Sequence, residues 1–206
     1  MISNLIWDVG GTMFDTYPAT TAAFLAALAE LGISAPLEWV RALARVSQRH
    51  CARTLAQTYA LDEERLWAAY RAARERAAPE QQPPFPGVIA VCRAVIQRGG
   101  VNLIATHRER ERVEQLLRFH HLQDLVAGIN STSDGFPRKP DPAMLDDLAA
   151  RFQLDRAQCL VLGDREIDIQ AGQLAGMRTA LFGDAQMDLR PDFTIQDHTQ
   201  LLALLA

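Results

Sequence analysis

The sequence predicts an α/β fold: an open parallel sheet covered by helices on both faces and interrupted early by an all-helical insert. Three observations carry that expectation. From residue 88 onward, short apolar runs alternate with segments of helical period, the pattern of βαβ units. Between Pro18 and Ala78 the alternation stops, and Ala, Leu, Arg and Glu dominate at helical spacing. Third, the apolar runs NLIWDV, VNLIAT and CLVLGD carry a polar residue at or near their ends, where open α/β sheets bind ligands.

Taken in order, residues 4–9 (NLIWDV) read as a short buried strand. In the insert, AAFLAALAEL, WVRALARV and ERLWAAYRAARERAA each place apolar residues at helical spacing. Gly32 and Pro36 mark the stop of the first helix, and Asp62 suits the N-cap of the last. The loop PEQQPPFPG (79–87), with four prolines, closes the block. A helix over 88–98 then leads through Gly99-Gly100 to a strand at 101–106, VNLIAT. A charged helix over 108–119 precedes the apolar segment DLVAGI, and a helix near 141–152 precedes CLVLGD at 159–164. A helix over 167–175 precedes the strand RTALF at 178–182. A weak strand, DFTI, and a C-terminal helix complete the order.

Composition narrows the class. The chain has 206 residues, 49% hydrophobic and 22% charged, with a net charge of −4 and no basic tail. This predicts a chain with a substantial core and no nucleic-acid partner. Cys51, Cys92 and Cys159 are far apart and lack C-x-x-C spacing, so they read as reduced, buried thiols rather than a zinc site. No apolar run is long enough to span a bilayer, and no basic segment followed by an apolar stretch opens the sequence. We expect a cytoplasmic protein without a membrane partner, as a monomer or homodimer. Of the 21 basic residues only Lys139 is lysine. A site needing one compact positive charge would take lysine and not the wider guanidinium fork.

The strand ends supply the candidate chemistry. Asp8 ends the first strand, Thr106 ends VNLIAT, and Asp164 ends CLVLGD with Asp168 one helical turn beyond. Lys139 lies in the loop GFPRKPDP. Singly, each has a plain structural reading: a turn cap, a helix cap, a chance spacing or a surface lysine. Together, three carboxylates, a hydroxyl and an ammonium suit a phosphoryl dianion and a divalent cation.

In these residues the chain resembles the haloacid dehalogenase (HAD) superfamily of hydrolases. Asp8-Val9-Gly10-Gly11-Thr12 resembles the family's D-x-D-G-T, Thr106 its second motif, Lys139 in RKPDP its third, and GDREID its G-D-x-x-x-D. The insert resembles the small helical cap of phosphoglycolate phosphatase-like members. The resemblance implies a Rossmann-like core domain formed by residues 1–15 and 86–206, with a helical cap domain at 16–85. It implies Asp8 as nucleophile, with Thr106, Lys139 and Asp164 as further catalytic residues. Mg2+ would be held by Asp8, the Gly10 carbonyl, Asp164 and Asp168. A small phosphorylated substrate would meet Gly11, Thr12, His107 and Arg108, with backbone N–H groups of the 11–12 turn facing the phosphate. Cap residues near Thr16, Tyr17, His50 and Arg53 would select the substrate. The row Arg41, Arg45, Arg49 and Arg53 reads either as an anion-facing stripe or as a solvated helix face.

One position departs from that pattern. Phosphatases of the family carry a second aspartate two residues after the nucleophile, which protonates the leaving alcohol and then activates water; here the position is Gly10. Dehalogenase members carry a larger aromatic there and need no metal, whereas GDREID argues for metal. Phosphonate-cleaving members need a cap lysine, and this cap has none. Asp15 and His107 are candidate substitutes for the missing acid/base; the alternatives are a hinge or helix-capping carboxylate for Asp15 and a helix-start histidine facing solvent or phosphate for His107. D-V-G-G-T also resembles the phosphate loop of actin-like sugar kinases, but no second nucleotide motif follows. The expectation is a magnesium-dependent hydrolase acting through an aspartyl-phosphate; the alternative is a binding or regulatory protein on the same scaffold.

Overall fold

The computed structural model of the chain describes residues 1–205. Its strands are β1 (Asn4–Trp7), β2 (Asn102–Ala105), β3 (Gly128–Asn130), β4 (Cys159–Gly163), β5 (Arg178–Phe182) and β6 (Phe193–Ile195). They form one parallel sheet in the order β3-β2-β1-β4-β5-β6. Its helices are α1 (Tyr17–Glu30), α2 (Leu37–Val46), α3 (Gln48–Tyr59), α4 (Glu63–Glu75), α5 (Val88–Gln97), α6 (Arg110–Phe119), α7 (Ala143–Arg151) and α8 (Glu166–Leu174). Among the described residues, no helix is long and apolar enough to cross a membrane.

The strands read as unbroken apolar runs because both of their faces are buried. Leu5, Trp7, Ile104, Leu160 and Leu162 enter one core, with Val91 and Val95 of α5 and Val113 and Leu117 of α6. Ile6, Leu103, Ala105, Cys159 and Val161 enter the other, with Leu145 and Leu148 of α7 and Ala171 of α8. Asn102 is satisfied inside the core: its Nδ2 donates to the carbonyls of Cys92 (2.9 Å) and Leu125 (3.1 Å), and its Oδ1 accepts from Trp7 Nε1 (3.2 Å).

The chain divides into two compact units, Asp15–Pro83 and a second made of Met1–Phe14 with the residues from Pro84 onward. The second unit holds the sheet. In it, Phe14 bridges Pro84, and the Phe85 N–H donates to the Met13 carbonyl (3.0 Å). The first unit has its own core, in which Phe24 stacks on Tyr70 at 3.9 Å between ring centroids.

Two elements differ from expectation. The insert has a further helix, α3, whose sequence QRHCARTLAQTY buries only a narrow stripe of Cys51, Ala52, Leu55 and Ala56. Its start is fixed by Ser47, whose hydroxyl accepts from the His50 N–H at 3.0 Å. The expected C-terminal helix is instead a 3-10 turn, His198–Ala203. Asp197 caps it by accepting from the Thr199 N–H at 2.7 Å, and His198 and Leu201, three residues apart, are both buried. The i, i+3 alignment of a 3-10 turn puts those two side chains on one side.

Candidate active site

The C-terminal ends of β1, β2 and β4 lie side by side, and they bring the chemistry-bearing residues together. Asp8 follows β1, and its N–H donates to the Leu162 carbonyl at 2.9 Å, fixing it between β1 and β4. A tight turn follows. The Met13 and Phe14 N–H groups both donate to the Val9 carbonyl (3.1 and 2.9 Å), and the Gly11 N–H donates to the Phe14 carbonyl (2.9 Å). Gly11 has φ +88°, a conformation in which a side chain is strained.

Lys139 is the hub. Its buried ammonium donates to Asp8 Oδ1 at 2.7 Å and to the Ala105 carbonyl at 3.0 Å, and lies 2.5 Å from Asp168 Oδ1. Burial alone would lower the lysine pKa, but Asp168 and Asp8 more than offset it and the value is raised. For Asp8, burial pushes upward, yet Lys139 and Arg165 hold the carboxyl below its ordinary range. Asp168 is raised, because its complete burial outweighs the same cations and Asp8 adds repulsion.

Asp164 follows β4 and accepts from the Thr12 hydroxyl at 3.3 Å. Asp168 lies in the first turn of α8, where its Oδ2 accepts from the Arg165 N–H at 3.3 Å. Gly163 makes this packing possible, since a Cβ there would collide with the Cβ and Cγ of Asp168. One oxygen from each of Asp8, Asp164 and Asp168 lies within 4.8 Å of the others. Such an all-oxygen set fits a hard divalent cation such as Mg2+.

A family model described as haloacid dehalogenase-like hydrolase matches residues 5–182, most of the chain. The chain belongs to the haloacid dehalogenase-like hydrolase family. It is 31% identical to a phosphoglycolate phosphatase of Rhodobacter capsulatus over 192 residues, 88% of this chain and 84% of the relative. It is 25% identical to a phosphoglycolate phosphatase of Aliivibrio fischeri over 223 residues, all of this chain and 97% of the relative. The crystal structure of a hydrolase from Streptococcus pneumoniae superposes with a TM-score of 0.69 at 32% identity, over 89% of this chain and 94% of that one.

Within this HAD hydrolase the other candidate residues take definite places. Thr106 is buried; its N–H donates to the Asn130 carbonyl (2.9 Å) and its hydroxyl accepts from the Arg108 N–H (3.2 Å). His107 Nε2 accepts from the Lys139 N–H at 2.7 Å. Burial, followed by Lys139 and Arg138, lowers the imidazole to about 3. This corrects the acid/base reading of His107: the ring is neutral at neutral pH, and its lone pair is occupied in holding Lys139. Gly11 is corrected as well, because its N–H closes the turn on Phe14 instead of facing a phosphate. The hydroxyl of Thr12 points to Asp164, and Gly10 pairs with Phe14 in an isolated bridge.

In the insert, three arginines of the row pair with glutamates: Arg41 with Glu38 (3.8 Å), Arg49 with Glu64 (3.0 Å) and Arg53 with Glu63 (3.7 Å). Arg45 lies over the Tyr17 ring at 5.6 Å, and Arg49 also over Trp67 at 4.0 Å. Each therefore has a partner inside the insert. Sequence reasoning passed over Arg165, whose Nε lies 3.9 Å from both Asp164 and Asp168. The signal for it was its place inside GDREID. It also passed over His198, fully buried and 4.1 Å from the Phe182 ring, for which no motif gives a signal.

Proposed function

We propose that this HAD hydrolase is a magnesium-dependent phosphatase of small phosphorylated metabolites, working through an aspartyl-phosphate on Asp8. The observation that carries the reading is the buried Lys139 ammonium placed 2.7 Å from Asp8 and 2.5 Å from Asp168, at the C-terminal end of the sheet. A lysine so placed keeps Asp8 ionised, as a nucleophile must be. The hydroxyl of Thr106 accepts from the Arg108 N–H, which leaves its own proton for a phosphoryl oxygen. Asp8, Asp164 and Asp168 would hold Mg2+, with the Gly10 carbonyl as a further ligand. When bound, Mg2+ would offset phosphoryl charge and polarise the group under attack. The phosphoglycolate phosphatases among the relatives support a small phosphorylated substrate.

Asp8 would attack phosphorus, and water would then cleave the acyl-phosphate, dividing one hydrolysis into two steps. Gly10 removes the side chain that would exchange protons in both. The same position favours a second reading, a binding protein that has lost turnover. Magnesium-dependent release of phosphate from a panel of esters, acyl phosphates and anhydrides tests the two. Turnover that Asp8→Asn abolishes, with the circular dichroism spectrum retained, supports the enzyme. No turnover across the panel supports the binding protein.

A further inference from the structure

We infer that the substrate of this site is a phosphoryl compound whose leaving group is itself a stable anion, an acyl phosphate or a phosphoric anhydride, and that it departs without taking a proton from the protein. The inference rests on the aspartyl-phosphate reading above and narrows its substrate class.

The side chains around Asp8 in the sheet unit offer no acid for a leaving group. Gly10 has no side chain. Val9, Met13 and Phe14 of the same turn are buried and apolar, and the Thr12 hydroxyl donates to Asp164. The ionisable groups acting on Asp8 include Lys139, Arg165, His107 and Asp168. His107 Nε2 accepts from the Lys139 backbone, so that nitrogen carries no proton, and the N–H left on Nδ1 of a neutral imidazole is too weak an acid to protonate a leaving group. The ammonium of Lys139 is enclosed by Asp8, Asp168 and the Ala105 carbonyl, so its protons are already directed at three acceptors. A guanidinium such as Arg165 does not give up a proton near neutral pH. Asp168 is fully buried beneath Gly163 and paired with Lys139. His198 is enclosed by Trp7, Phe85 and Phe182. Asp15 accepts from the Tyr17 N–H at 3.3 Å.

An alkoxide is far too basic to leave unprotonated, whereas a carboxylate or phosphate leaves readily as the anion. In the first step the Asp8 oxygen–phosphorus bond forms and the bond from phosphorus to the leaving oxygen breaks, with the electron pair departing on that oxygen. In the second, water adds to the phosphoryl group, Asp8 leaves as carboxylate, and the proton passes to released phosphate and solvent. Among the described residues of the unit that holds Asp8, no side chain is free to activate that water, so the aspartyl-phosphate accumulates and appears as a burst of leaving group.

The experiment is a structure–reactivity series on the full chain with Mg2+. It measures kcat/KM for aryl phosphates of graded phenol acidity, acetyl phosphate, pyrophosphate and phosphoglycolate. The expected result is a steep fall in kcat/KM as the leaving group becomes more basic. The faster of acetyl phosphate and pyrophosphate should exceed phosphoglycolate by at least ~100-fold, the scale of a positioned acid. Whichever of the two is faster separates an acyl phosphate from an anhydride source. Gly10→Asp, where it folds, should flatten the series; the wild-type slope stands without it. A flat wild-type series, or phosphoglycolate equal to both activated substrates, overturns the inference while leaving the aspartyl-phosphate intact. No turnover of any compound defeats the aspartyl-phosphate reading itself.

Discussion

At Lys139 one ammonium serves two buried carboxylates, and removing it leaves their charge uncompensated. Lys139→Met is therefore expected to lower stability by about 3–5 kcal/mol, read by urea denaturation. Adding Asp168→Asn should restore part of that loss, whereas strictly additive effects would contradict the coupling. His107 belongs to the same unit. His107→Ala leaves the Lys139 N–H without its acceptor, a loss of about 1–3 kcal/mol in stability, whereas His107→Gln can retain an acceptor and should lose less. The tautomer gives an independent check: nitrogen NMR near neutral pH should find His107 Nε2 unprotonated. An Nε2–H signal would contradict the geometry. The residues themselves were legible in the sequence, because three polar positions at strand ends, a fourth one helical turn beyond and a single lysine in a chain of arginines are visible as letters. Their roles were less so. A histidine after a threonine reads as an acid/base until its partner is known, and that partner is a backbone N–H thirty-two positions away.

At the scale of elements, β4 and α8 meet at Gly163, where the Asp168 carboxylate crosses the backbone. Gly163→Ala should push the first turn of α8 away and cost about 1–3 kcal/mol from overpacking. It should also weaken Mg2+ binding measured by calorimetry; unchanged binding and stability would show that α8 can move without consequence. The strands were readable because burial on two faces leaves continuous apolar runs, and RTALF matches β5 residue for residue. Helix α3 was missed because its buried stripe is narrow and mostly alanine and cysteine. The 3-10 turn at His198–Ala203 was read as a helix because apolar residues three apart suit either period; its short length follows from tertiary contacts, not from local spacing.

For the whole molecule, His198 links the C-terminal turn to the core through Trp7, Phe85 and Phe182. Burial lowers its pKa from 6.5 to about 4. The unfolded chain therefore takes up this proton before the folded one does. The stabilisation is complete above about pH 6.5 and is lost as pH falls toward about 4, amounting to about 3 kcal/mol. His198→Phe should flatten the dependence of denaturation midpoint on pH across that window, and an unchanged slope would contradict the assignment.

Asp8 is proposed as a nucleophile on a scaffold that exchanges no proton with the leaving group. The most direct test is rapid acid quench of the protein turning over acetyl phosphate with Mg2+, followed by peptide mass spectrometry. The account predicts one phosphoryl group on the peptide containing Asp8, at near-stoichiometric occupancy and absent from Asp8→Asn. Phosphate released from acetyl phosphate with no phosphoryl group on that peptide would contradict it.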